Sequence, residues 1–362
     1  MSTDFFDFTL EPGQELGNTR KYNYQEPVIS IIMPFYNSGS YIKQTVYSVL
    51  NQTFPYFELL IVDDGSKNAE ALKELKKIEK LDNRIKVFHK ENEGVSAARD
   101  YGAEKSASSA KYLFFLDDDD LIENTYLECA YWTLETNKDA SWAYTDSLGF
   151  EANNYLWNQW FDSEKMKKEN VLVATALIRK EPFFDVGGYG IREKAVSEDW
   201  NFWLKLIAKG CYPVRMNFYG FWYRRKKGES ESKRATKNKT TDMQIIQKTA
   251  ATINKKVKAI QYPRENFEWD TIEESIDTIL TPQLEDKADD LINILMIIPW
   301  ATTGGADKFN IDMIKGLDKN KFNVTVILTE PQINMYRQEL EKYAVVYDVT
   351  TFIDEKIGRA HV

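Results

Sequence analysis

The sequence is poor in the two side chains that carry most nucleophilic, redox and metal chemistry: among 362 residues there are 2 cysteines and 2 histidines. Cys129 and Cys211 are too few for a disulfide framework or a cysteine-based zinc site. His361 is the penultimate residue, which leaves His89 as the internal imidazole, with no nucleophile motif beside it. A Ser-His-Asp arrangement is therefore unsupported, and any general base is expected to be a carboxylate. No apolar run approaches the ~18 residues that span a bilayer. The start, MSTDFFDFTL, lacks the basic-then-apolar order of a signal peptide. Positive charge is not in excess either, with 47 Lys and Arg against 56 Asp and Glu for a net charge of −9. That balance speaks against nucleic acid as a partner.

Apolar material for a core is present, with 43% hydrophobic residues and a mean hydropathy of −0.50. The length predicts one large domain or two smaller ones. Residues 1–27 read as an irregular lead-in. From Val28 the text alternates. Short apolar runs at Val28–Met33 (ended by Pro34), Phe57–Val62, Ile85–Phe88 and Tyr112–Leu116 predict strands. Helical spacing fills Ser40–Asn51, Ala71–Leu81, Gly94–Ser106 and Asn124–Thr136. Such alternation predicts an α/β fold, a mostly parallel central sheet flanked by helices. Ligands in such sheets bind beyond the carboxyl ends of the strands. The pattern then loosens into an α+β stretch rich in Trp and Tyr, reaching about Tyr223.

Arg224–Lys239 carries eight basic and two acidic residues, and Arg264–Asp290 ten acidic and two basic. Residues 226–291 therefore read as a charged helical extension, helical near Ile253–Ile260, followed by a linker. From 292 to 362 a new unit starts: strand Ile294–Ile298, a Gly304-Gly305 turn, helix Ala306–Leu317 and strand Val324–Leu328. An exposed, partial β-α-β unit of this kind is expected to be poorly stable, and the final Gly358–Val362 shows no pattern.

The chemistry concentrates at strand ends. Asp117-Asp118-Asp119-Asp120 sets four carboxylates side by side; they repel one another and require solvent, a cation or both. A divalent ion with oxygen ligands meets that need, and so does a solvated strand end or helix cap. Asp63-Asp64-Gly65-Ser66 is equally compatible with a simple turn. Arg99 opens a predicted helix, where backbone N–H groups and a guanidinium suit a phosphate, or where it pairs with a nearby acid. Glu198-Asp199 begins an amphipathic helix; acids there are favoured by the helix dipole alone.

Six motifs stand in order: PFYN (Pro34–Asn37), VDDGS (Val62–Ser66), ENEGVSAARD (Glu91–Asp100), FLDDDD (Phe115–Asp120), VGGYG (Val186–Gly190) and SEDWNFWLKL (Ser197–Leu206). Together they resemble the family 2 glycosyltransferases, inverting enzymes with the GT-A nucleotide-diphospho-sugar transferase fold, over about residues 27–225. The resemblance implies a GT-A domain at 28–225. It also implies transfer of a sugar from a nucleoside-diphosphate donor, a UDP-sugar first among them, to a hydroxyl on a glycan or glycoconjugate. Asp119 is then the ligand of a divalent metal (Mn²⁺ or Mg²⁺), and Asp117 a ribose or water-mediated contact. Pro34, Tyr36, Asp64 and Arg99 face the nucleotide; Gly187 and Gly188 lie beneath the donor sugar; Glu198 orients sugar or acceptor. Asp199 is the base that takes the acceptor's proton. The family's habits add a cytoplasmic place at the inner face of the membrane, with peripheral attachment and a role in surface polysaccharide synthesis. The stretch NILMIIPWATTGGADKFNIDMIKGL resembles the opening of a GT-B-type (family 4-like) glycosyltransferase domain, cut short.

Two departures stand out. Where the family continues Arg99 with Asn, this chain has Asp100. Where many relatives carry a metal- or diphosphate-contacting His, it has Tyr223-Arg224-Arg225-Lys226-Lys227, whose lysines could meet a diphosphate as point charges. A sugar-nucleotide pyrophosphorylase needs a Gly-rich loop with Arg and Lys after strand one, which Pro34–Ser40 does not supply. A dinucleotide oxidoreductase lacks its G-x-G-x-x-G. The alternative from another class is a catalytically silent nucleotide-sugar or glycan-binding module.

Overall fold

The computed structural model describes residues 6–17, 26–190, 197–226, 239–257, 291–302, 304–330 and 334–349. The expected alternation holds: β1 (Ile29–Phe35), α1 (Ile42–Leu50), β2 (Phe57–Asp63), α2 (Ala69–Ile78), β3 (Ile85–His89), α3 (Val95–Glu104) and β4 (Tyr112–Phe115). β5 (Leu121–Ile122), α4 (Tyr126–Glu135), β6 (Trp142–Glu151), β7 (Tyr155–Trp157), α5 (Ser163–Met166), β8 (Leu177–Arg179), α6 (Lys180–Asp185), α7 (Glu198–Ala208), β9 (Pro213–Arg225) and α8 (Lys239–Ala250) follow. β1 runs on through Pro34, where the apolar run was expected to end. Pro34 faces the β4 side, and pairing with β4 stops at Ile32–Phe115, so the missing N–H costs no ladder bond.

Nine strands make one sheet in the order β3-β2-β1-β4-β8-β6-β9-β5, with β7 paired to β6. β1, β2, β3 and β4 are mutually parallel, as are β6 and β9; β8, β5 and β7 run against their neighbours. Side chains alternate across the strands. Ile31, Met33, Leu59, Ile61 and Phe114 pack with α1, α2 and α4 on one face, and Ile32, Leu60, Leu113 and Phe115 with α7 on the other. This mixed α/β sheet flanked by helices is the GT-A architecture.

The stretch 137–225 mixes strands and helices as expected, with β6 and β9 long paired strands shifted in register near Thr145–Asp146 by an irregularity. One expectation is corrected. The segment 226–291 is not all extension and linker. Ile246, Ala250, Ile253 and Val257 are buried in the same core cluster as α7, so 239–257 belongs to the main unit. A helix lies at Lys239–Ala250, where Met243, Ile246 and Ala250 supply the face that α7 covers, while 253–257, the described part of the expected Ile253–Ile260 helix, is not helical. The expected linker over Arg264–Asp290 lies outside the described residues, as do most of Arg224–Lys239 and all of Gly358–Val362.

The C-terminal unit holds β10 (Ile292–Ile298), α9 (Gly305–Lys315), β11 (Phe322–Leu328), α10 (Arg337–Glu341) and β12 (Val345–Asp348). Its three strands are parallel in the order β10-β11-β12, one strand more than the pattern foretold. Ile311, Ile314, Val326, Leu328, Leu340 and Val346 form its own small core, while Leu295 and Ile297 are exposed on β10.

Candidate active site

β1 has β2 on one side and β4 on the other, so the chain's winding reverses between β1 and β4. At such a switch point the strand-end loops diverge and leave a crevice at the carboxyl edge. Pro34–Asn37, Asp63–Ser66 and Asp117–Asp120 all leave the sheet there. Asn37 fixes the first loop to the second. Its side-chain oxygen accepts the amides of Lys67 and Asn68 at 2.8 and 3.0 Å, and its own amide donates to the Ser66 hydroxyl at 2.8 Å. Tyr36 projects from this rim, half-exposed.

The four adjacent acids are accommodated by two means. Burial, with Asp119 and Asp117 adding repulsion, pushes the Asp118 carboxyl up to about 8, and its Oδ2 has no hydrogen-bond partner. Asp120 is buried and raised well above the usual carboxylate range by desolvation, with its Oδ1 taking the Arg224 amide at 2.8 Å. Asp117 and Asp119 meet cations instead. Arg99 donates to Asp117 at 2.7 Å, and Lys226 pairs with Asp119. Arg224 braces the turn from β9, donating from Nε to the Asp119 carbonyl at 2.6 Å and from Nη2 to Gln44 at 2.7 Å, and pairing with Glu151.

Arg99 is the strut of the site. It is 2% exposed, and its second Nη donates to Glu198 at 2.9 Å. Of its two sequence readings the geometry takes the ion pair: both Nη groups are spent on acids, and Nε is buried without a partner. This one side chain joins the acidic end of β4 to the start of α7. Asp199, next to Glu198, accepts from Asn170 Nδ2 at 3.1 Å and from the Trp200 amide at 2.7 Å. Burial first, and the neighbouring Glu198 charge second, push its carboxyl up to about 7.

Asp64 is buried and faces the next loop. Its Oδ1 takes Lys90 at 2.9 Å and the Glu93 amide at 3.0 Å, and its Oδ2 takes the Gly94 amide at 2.7 Å. It thereby holds the start of α3, the helix that presents Arg99. Gly187 and Gly188 were expected to let backbone approach a sugar; the close approach at Gly188 is to Asp100. A Cβ at Gly188 would lie 2.4 Å from Asp100 Oδ1, whereas at Gly187 it would meet open space. Asp100 accepts the Tyr189 and Gly190 amides at 2.7 and 2.9 Å, and Lys205 donates to the Gly188 and Tyr189 carbonyls. The departure from Asn at position 100 thus serves as a backbone clamp on the 187–190 turn.

The sequence reading missed Asn170, Arg224, Lys205 and this role of Asp100. Only the Arg-Arg-Lys run carried a signal. Asn170 lies in a polar stretch with no pattern, and its contact with Asp199 spans 29 positions. Trp200 and Trp203 are core residues, with Trp203 stacked on Trp142 at 5.1 Å.

Asp119 offers the hard oxygen chemistry that Mg²⁺ and Mn²⁺ take. Among the described residues no three His, Cys, Asp or Glu side chains group to hold an ion. One carboxylate fits a divalent ion that is also held by phosphate oxygens and water, a common arrangement for Mg²⁺.

Residues 30–200 match the profile of Glycosyl transferase family 2. A putative teichuronic acid biosynthesis glycosyltransferase of Bacillus subtilis, TuaG, is 30% identical over 202 residues, which is 53% of this chain and 77% of that one. An uncharacterized glycosyltransferase of Rickettsia bellii is 42% identical over 120 residues, 33% of this chain; the match spans only 17% of that much longer relative. Among solved structures, S. aureus TarS 1–349 in complex with UDP-GlcNAc aligns with a TM-score of 0.47 at 21% identity, covering 56% of this chain and 60% of that one. Among the described residues no helix is long and apolar enough to cross a membrane.

Proposed function

The chain belongs to glycosyl transferase family 2, and from that premise we propose that it is an inverting transferase moving a sugar from a nucleoside-diphosphate donor, a UDP-sugar, to a hydroxyl acceptor. The observation that carries the reading is Arg99. By pairing with both Asp117 and Glu198 it ties the acidic strand end to the Glu198–Asp199 helix start, which supports reading the two as one site.

In the proposed reaction the acceptor oxygen forms its bond to the anomeric carbon as the carbon–phosphate oxygen bond breaks on the opposite face. Asp199 takes the acceptor's proton, and the bond's electron pair leaves with the diphosphate. A base here contributes ~10²–10⁴-fold by being in reach of the hydroxyl. Asn170 fixes the Asp199 carboxylate, and Arg99 keeps Glu198 turned toward the crevice. Asp119 would hold the divalent ion, which when bound offsets charge on the diphosphate. Pro34 and Tyr36, with Asp64 behind them, form the nucleoside side of the crevice, and Asp117 its ribose side. The turn at Gly187 and Gly188 lines the sugar side.

The resemblance to TuaG, named for teichuronic acid biosynthesis, supports an acceptor in a cell-surface polysaccharide, and a cytoplasmic, peripherally membrane-associated protein accords with that work. The β-α-β order of 292–328 with its Gly304-Gly305 turn supports reading this unit as GT-B-like.

Thermal shifts with UDP, GDP, CDP and TDP, each with Mn²⁺ or EDTA, test the donor site. One nucleotide is expected to stabilise the wild type with metal, and Asp119→Ala should lose that effect. No shift with any nucleotide at millimolar concentration on folded protein would overturn the reading and favour a silent glycan-binding module.

A further inference from the structure

The basic run at the end of β9 brings a lysine onto the proposed metal ligand. The Lys226 ammonium pairs with the Asp119 carboxylate and lies 5.2 Å from the centre of the Tyr41 ring. Arg224, two residues earlier, holds the Asp119 carbonyl from the other side, so β9 and the acidic turn are pinned where the pair forms. The pair is not sealed: 28% of the Lys226 side chain and 22% of the Asp119 side chain are exposed. A compact ammonium and a divalent ion satisfy the same negative charge and compete for it. With no group of three ligands among the described residues, an ion gains little from this protein alone. A lysine on a flexible stem can turn from one anionic oxygen to another nearby.

We propose that Lys226 is the resident counter-ion of Asp119: it keeps a divalent ion off the nucleotide-free site, and a metal–diphosphate displaces it onto a diphosphate oxygen. This rests on the donor-site reading above. Its consequence is ordered binding, in which the metal enters with the nucleotide and not before it. Lys226, in the basic run that carries no histidine, thereby has two successive partners, a carboxylate and then a phosphate.

Lys226→Met removes the charge and keeps the bulk; Lys226→Arg keeps the charge. Mn²⁺ binding without nucleotide, followed by the electron paramagnetic resonance signal of free aqueous Mn²⁺, is expected to tighten about fivefold in Lys226→Met. Lys226→Arg should stay near the wild type. UDP titrated calorimetrically in EDTA is expected to bind Lys226→Met about fivefold more weakly than wild type. Unchanged Mn²⁺ affinity in folded Lys226→Met would overturn the counter-ion role, and unchanged UDP affinity in EDTA the transfer to diphosphate. If the wild type binds no UDP under any condition, the donor-site reading and the diphosphate transfer fall together. The Mn²⁺ comparison still decides the counter-ion role by itself.

Discussion

A carboxylate that takes a proton works only where it is empty, and burial holds the Asp199 carboxyl up to about 7. If it is the base proposed here, it should give kcat/KM a rise with pH centred near 7. Asn170 hydrogen-bonds the charged form and so lowers the value; Asn170→Ala should move the midpoint upward, and a midpoint that stays put would remove Asn170 from the site. The sign for stability is the opposite of the usual acid. A carboxyl raised in the folded chain binds its proton more tightly there, so stability is lost as pH climbs from the ordinary aspartate range through about 7. Asp199→Asn is therefore expected to raise Tm relative to wild type at pH 8 and not at pH 4, while turnover falls ~10²-fold or more.

Gly188 belongs to the same scale. With φ at +57° and no room beside Asp100, Gly188→Ala is expected to cost about 1–3 kcal/mol, read as a lower Tm. Gly187→Ala has a similar φ but open space, and should cost less. The candidate site residues stood out because strand ends and helix starts are where acids and glycines are conspicuous in a sequence. What each one touches was not legible. Arg99 and Gly188 look in the sequence like groups that face a ligand, and they are spent on Asp117, Glu198 and Asp100, partners 18 to 99 positions away whose distance in space no local pattern encodes.

At the scale of elements, α3 is the joint on which the crevice turns. Asp64 holds its first turn, Arg99 reaches from it to β4 and α7, and Gly102 lets it lie on the sheet, where a Cβ would stand 2.5 Å from Ile32 Cγ2. Arg99→Met leaves Asp117 and Glu198 facing each other without their cation. It is expected to cost about 3 kcal/mol in chemical denaturation, toward the low end for a broken buried pair because both acids keep some solvent. A loss below about 1 kcal/mol would show that the strut is dispensable. The strands and helices of the first half read cleanly because their apolar runs are continuous and their helices amphipathic. β9 did not, although it alternates buried and half-buried residues over 13 positions, because Arg215, Asn217 and Gly220 break its apolar character. α8 was misplaced for a related reason: its buried face is narrow, and the neighbouring charges dominate the text.

For the whole molecule, the two large core clusters close within 28–257, apart from Leu16 and Tyr347 packing at the edge of one of them. The C-terminal unit has a separate core and touches the main unit through side chains such as Tyr347, whose hydroxyl donates to Glu128 at 2.9 Å, and Arg337, over the Phe218 ring. A chain ending at Val257 is therefore expected to keep cooperative unfolding and the nucleotide-dependent thermal shift. Loss of either would show that 292–349 completes the first unit. In the sequence the second unit stood out as a new start of strand, glycine turn and helix. That 239–257 belongs with the first unit did not, since it shares its core with residues far upstream.

The brace between Arg224 and the acidic turn also sets a timetable. Asp119 and Arg224 are 105 positions apart, and a ribosome adding ~5–20 residues per second needs on the order of 5–20 s to make that stretch. Throughout that interval the newborn chain carries its run of four aspartates without the strand that will neutralise it.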